Sequence, residues 1–88
     1  AHLVRGRMLD YIEFDHGYAI VKTTPPHGIL GKTLADAGVR SRYGVTVVGI
    51  KSPGQEFSYA TPTSVVTRGD LIIVSGDRRK VELFSDQE

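Results

Sequence analysis

Arg40 and Arg42 stand apart from the other cations of this 88-residue chain. They follow a short segment with helix-start signals and precede an apolar run, beside Val39, Tyr43 and Val45. A guanidinium next to an apolar floor can fork onto a phosphate while the floor holds a flat base. Two solvated arginines account for the same residues, and the residues alone favour that reading. Gly31-Lys32-Thr33 invites comparison with a nucleotide-binding loop. That loop needs a glycine five residues before Gly31, and Pro26 stands there without an N–H to offer. A helix start is the simpler reading. Arg68-Gly69-Asp70 has the letters of an adhesion tripeptide, but a turn at Gly69 between two apolar segments explains it. His2, His16 and His27 show no helical spacing and have no cysteine to join them, so no metal site is expected. Asp10, Glu13 and Asp15 crowd one turn, where solvation suffices. With no Gly-x-Ser-x-Gly elbow and no Gly-x-Gly-x-x-Gly fingerprint, no catalytic residue is expected.

The elements that must position the two arginines fit one small domain. A chain of this length buries only about 60–65% of its unfolded surface. Self-association would cover apolar area that one copy leaves exposed. A hydrophobic content of 40% belongs to a folded domain. The net charge of +1 draws the chain to neither nucleic acid nor anionic lipid. The absence of cysteine excludes disulfides and thiolate metal sites and fits a reducing cytoplasm. Ala1 to Arg5 lack the apolar segment of a signal peptide, and no apolar run approaches the ~20 residues of a membrane helix.

Along the chain, Met8 to Phe14 and Tyr18 to Thr23 are predicted to pair as a hairpin across Asp15-His16-Gly17. Two prolines then end the strand. Thr33 and Asp36 predict a short capped helix, closed by Gly38, with an irregular turn over Arg40 to Tyr43. Val45 to Lys51 reads as a central strand, and Ser52-Pro53-Gly54-Gln55 as a turn. Glu56 to Ala60 alternates and reads as a half-exposed strand with Phe57 and Tyr59 on one face. Leu71 to Val74 reads as the other central strand. Asp77 predicts the cap of a last helix, with Val81 and Phe84 inward and a frayed tail after Phe84. The order is β-hairpin, helix, β-hairpin, strand, helix: an α+β fold of one small sheet and two helices.

Two blocks carry a family resemblance. One is Gly31-Lys32-Thr33-Leu34-Ala35-Asp36-Ala37-Gly38-Val39-Arg40, running through Arg42-Tyr43-Gly44 into Val45-Thr46-Val47-Val48-Gly49-Ile50. The other is Val65-Val66-Thr67-Arg68-Gly69-Asp70, running into Leu71-Ile72-Ile73-Val74-Ser75-Gly76. Together they resemble the TrkA-C, or RCK-C, domain of bacterial potassium-transport regulators, from Gly17 to Phe84. The resemblance implies a regulatory domain over 17–88, preceded by a linker or strand segment over 1–16. It implies a ligand-sensing module rather than an enzyme, with no cofactor and no nucleic-acid partner. It implies a homodimer that binds cyclic di-AMP in a pocket across its interface. Leu34 then contacts a base, Arg40 a phosphate, and Pro62 closes the pocket. Val45 and Thr46 occupy two strand positions that are often polar in the family; Thr46 can donate a hydrogen bond and Val45 cannot. The partner implied is a potassium channel or potassium/proton antiporter subunit, reached via or alongside an N-terminal nucleotide-binding domain. That places the domain in the cytoplasm, peripheral to the inner membrane. The alternative is a ligand-free dimerisation scaffold of the regulatory ring.

Overall fold

The structure, a computed structural model, describes residues 8–14 and 17–87. Runs of β-branched and aromatic residues form five strands: β1 (Met8–Phe14), β2 (Tyr18–Thr23), β3 (Val45–Lys51), β4 (Ser58–Tyr59) and β5 (Leu71–Asp77). They make one antiparallel sheet in the order β1-β2-β5-β3-β4. The most apolar run, β5, takes the middle, where both of its edges pair with other strands. The expected hairpin is present, with Tyr11 opposite Val21 and Ile12 opposite Ile20. Asp15 and His16, assigned to its turn, lie outside the described residues.

Strand register sorts side chains onto two faces. Val21, Val74 and Val47 stand in one row across β2, β5 and β3. These three, with Val45, Ile50 and Ile72, are buried on the face that the helical layer covers. That layer holds α1 (Leu34–Ala37), a π-type helical turn (Val39–Tyr43) and α2 (Arg78–Asp86). Asp77 caps α2 as expected, its Oδ2 accepting hydrogen bonds from the backbone N–H groups of Arg79 and Lys80. Val81 and Phe84 are fully buried. The Tyr43 ring meets Phe84 edge-on at 5.1 Å between centroids, which ties the π-type turn to α2.

Three expectations need correction. The predicted strand over Glu56 to Ala60 contracts to Ser58–Tyr59, because the chain beyond it turns away to meet α1. The strand predicted to end at Val74 runs on to Asp77, since β2 and the start of β3 flank it to the end. The tail after Phe84 is not frayed at once: α2 continues to Asp86 and Ser85 is buried. Asp70, the last residue of the adhesion-like tripeptide, is buried too. Its Oδ2 accepts from the Thr67 N–H at 3.0 Å and from the Thr67 hydroxyl at 3.3 Å, which makes it a turn residue.

Phe84→Ala empties a fully buried site and should cost about 3–5 kcal/mol, read as a lowered denaturant midpoint at unchanged slope. Amide exchange should find the β2-facing N–H groups of Met8 to Phe14 protected. Uniformly fast exchange there would contradict the hairpin. Gly38 has φ 64°, and an added Cβ would lie 3.2 Å from Ser41 Oγ and 3.3 Å from Arg42 Cδ. Gly38→Ala should therefore lower stability by about 1–2 kcal/mol, and thermal unfolding measures it.

Candidate ligand-binding site

A four-residue helix does not hold itself together in water. α1 persists because each of its first N–H groups has a partner. The Asp36 N–H donates to Thr33 Oγ1 at 3.1 Å. The Leu34 N–H donates to the Ser64 carbonyl at 2.9 Å, and the Ala35 N–H to the Pro62 carbonyl at 3.0 Å. The segment 61–64 is itself a hydroxyl-laced turn. Ser64 Oγ accepts from the Thr61 N–H at 3.0 Å and lies 3.1 Å from Thr61 Oγ1. These bonds bring Pro62 next to Leu34 across 27 residues of intervening chain.

The result is an open cavity of about 420 Å³. Its walls are α1 and the start of the π-type turn, the first half of β3, and residues 60–62. The volume falls in the range of about 300–1,000 Å³ typical of small-molecule sites. β4 covers β3 only at Gly49 and Ile50, so the stretch of β3 at the cavity has no neighbouring strand on that side among the described residues. Four of the five residues implied by the resemblance line this space: Leu34, Arg40, Thr46 and Pro62. Val45 does not. It is 1% exposed, directed into the core opposite Gly76, and presents no surface to a ligand. Thr46 faces the other way, while Val47, on the same side of β3 as Val45, still reaches the cavity. The sequence reading passed over Ser41, Ala60 and Thr61, which also line the cavity. The Thr61-Pro62-Thr63-Ser64 run was the available signal, since hydroxyls around a proline mark a turn.

Arg40 and Arg42 separate clearly. Arg40 is the only charged residue lining the cavity, and its guanidinium has no protein partner among the described residues. Arg42 is committed elsewhere. Its Nη1 donates to the Ala37 carbonyl at 3.4 Å, and the guanidinium lies 5.4 Å from the Tyr43 ring centroid. One free cation above walls of Leu34, Val39, Val47 and Pro62 makes a site for an anion attached to an apolar or flat group. His27 is exposed in a 3₁₀ turn (His27–Ile29), and no group of three or more potential metal ligands occurs among the described residues. No described helix is long and apolar enough to cross a membrane.

A family model, the TrkA-C domain, matches residues 18–87. The Ktr system potassium uptake protein C of Bacillus subtilis is 28% identical over 83 residues, covering 94% of this chain and 38% of that protein. The chain thus spans less than two-fifths of that relative's length. Among solved structures, the C domain of the potassium transport protein KtrA, in complex with cyclic diadenosine monophosphate, is 26% identical with a TM-score of 0.66, covering 77% of this chain and 80% of that one. The RCK domain of GsuK is 20% identical with a TM-score of 0.69, covering 90% of this chain and 17% of that one, and shares the fold. The five-stranded sheet under its helical layer, with the family model spanning β2 through α2, leads to one conclusion: this chain belongs to the TrkA-C domain family.

Proposed function

We propose that the chain is the ligand-sensing regulatory domain of a potassium transport system and binds cyclic di-AMP at a homodimer interface. The observation that carries this reading is Arg40, without a protein partner among the described residues and the one charge in a cavity otherwise lined by apolar and hydroxyl side chains. A cyclic dinucleotide is itself two-fold symmetric. Each adenylate half carries one phosphate and one flat base, and each copy of the domain offers one arginine and one apolar wall. Leu34 and Pro62 flank the base, Arg40 takes the phosphate, and Thr46 supplies a lesser polar contact. The cavity is open on one side, beside the uncovered stretch of β3, and a second copy closes it there. The complex between the KtrA C domain and cyclic di-AMP supports the ligand class.

The domain acts by binding, without a chemical step, on the cytoplasmic side of a potassium channel or antiporter. Ligand shifts the population of two dimer arrangements by its differential affinity for them. A scaffold that dimerises without ligand is the second reading. The burial of Val45 favours it, because one of the two strand positions implied to contact ligand is withdrawn into the core.

Calorimetric titration with cyclic di-AMP decides between them. An arginine–phosphate contact contributes about 1.5–3 kcal/mol, so Arg40→Ala should weaken binding by about 10- to 150-fold and leave the melting temperature of the free domain unchanged. Arg42→Ala keeps the cavity charge and should change affinity much less. No binding by the wild type at ligand concentrations around 100 µM, far above the micromolar range of a −8 kcal/mol interaction, would leave the scaffold reading. Equal losses from the two substitutions would remove Arg40 from the phosphate.

A further inference from the structure

The cavity beside α1 makes no use of the Arg68-Gly69-Asp70 tripeptide. Elsewhere on the domain, these three residues form one side of a second cavity of about 220 Å³. Thr24, Pro25, His27 and Leu30, from the chain that leaves β2, form its other side. The two cavities share no lining residue. Asp70 is 2% exposed. Its Oδ2 accepts from the Thr67 N–H and hydroxyl, which fixes the carboxylate in place. Its Oδ1 is buried and has no hydrogen-bond partner. Buried acceptors without a donor are rare and costly, the more so when charged. Arg68 is exposed on the same cavity, and its guanidinium has no partner among the described residues. Pro25 and Leu30 add an apolar wall.

We propose that this cavity binds a small zwitterion of the α-amino acid class, with its ammonium on Asp70 Oδ1, its carboxylate on Arg68 and a short apolar side chain against Pro25 and Leu30. The charges decide the class. Asp70 and Arg68 stand two positions apart yet form no ion pair with each other. The carboxylate lacks a donor and the guanidinium lacks an acceptor. A molecule that carries both charges satisfies both through charge-assisted hydrogen bonds. An inorganic cation fits less well, because Arg68 repels it and no group of three or more carboxylate or histidine ligands occurs among the described residues. A lone anion leaves Oδ1 without a donor and sets like charge beside Asp70. Oδ1 is closed to bulk water. Thr67, Arg68 and Gly69 are exposed, and a small outward movement of their turn opens the oxygen to the ammonium. His27, exposed on the other side, supplies a further donor to the ligand carboxylate. The cavity is smaller than the roughly 300–1,000 Å³ of typical ligand pockets, which suits a molecule of few heavy atoms.

Titration of the isotopically labelled chain with L-valine, followed by amide NMR shifts, tests it. Saturable shifts are expected at residues 24–30 and 67–70, with a dissociation constant on the order of 1 mM for so small a ligand. Amides of the cavity beside α1, Arg40 and Thr46 among them, should stay in place. Isovalerate is L-valine without the ammonium, and isobutylamine is L-valine without the carboxylate. Each should bind at least about tenfold more weakly, since each forfeits one charge-assisted contact. Asp70→Asn keeps an oxygen for the Thr67 N–H but puts an NH₂ donor at the unpaired position, so the fold survives and L-valine binding is lost. Arg68→Gln changes an exposed residue, leaves the melting temperature unchanged and should weaken L-valine by about tenfold or more. None of these readouts depends on whether the chain binds cyclic di-AMP, so the two readings fail separately. The proposal is overturned by no saturable shift at about 100 mM, a hundredfold above the expected constant. It is equally overturned by shifts centred on residues 34–47, by isovalerate or isobutylamine binding as well as L-valine, or by full affinity in Arg68→Gln.

Discussion

Docking of the first turn of α1 onto the carbonyls of Pro62 and Ser64 is the constraint on which the candidate site depends. A single helical turn fixes several backbone angles for few internal bonds and is unstable alone. Here its N–H groups are satisfied from outside, by Thr33 Oγ1 and by a loop far along the chain. Each bond contributes a net ~0.5–1.5 kcal/mol, while an unmade one in a partly buried turn costs about 1–3 kcal/mol. The penalty for undocking therefore exceeds the gain from any single bond. The same contact does two things at once: it makes the helix and brings Pro62 beside Leu34. The adjoining chain is held in the same way, with the Gly31 N–H on the Val66 carbonyl at 2.8 Å.

The π-type turn after α1 connects this site to the rest of the core. Gly38 and Gly44 bracket it, both with positive φ, so the five residues between them form a compact unit. Val39 and Tyr43 from this unit enter the core, and Tyr43 meets Phe84. Arg40 and Arg42 extend from it on different sides. Arg42 folds back on Ala37 and Tyr43, an arrangement that stabilises the turn. Arg40 is left over the cavity. The Tyr43–Phe84 contact joins the π-type turn that carries Arg40 to the last helix through packed rings.

Much of the domain was legible in its residues. β-branched runs predicted the strands, Thr33 and Asp77 predicted two helix caps, and the spacing of Val81 and Phe84 predicted the inward side of α2. The two motif blocks pointed to the family and, through it, to Leu34, Arg40, Thr46 and Pro62. These signals are local: a cap, a turn or an alternation is complete within a few residues, so sequence alone determines it. The tertiary structure decided the rest. Which side Val45 takes depends on the register of β3 against β5, and register is set by partners more than 20 residues away. The predicted strand at Glu56 to Ala60 alternates correctly, yet the docking of residues 61–64 on α1 pulls it off the edge of β3 after two residues. Arg40 and Arg42 are the same residue type two positions apart, and only the path of the π-type turn makes one free and the other bound. The sheet face opposite the helical layer was hidden for the same reason. Its apolar side chains come from β1, β2, β4, β5 and the residue before β4, and nothing local in any one of them says which of two faces the helices will cover.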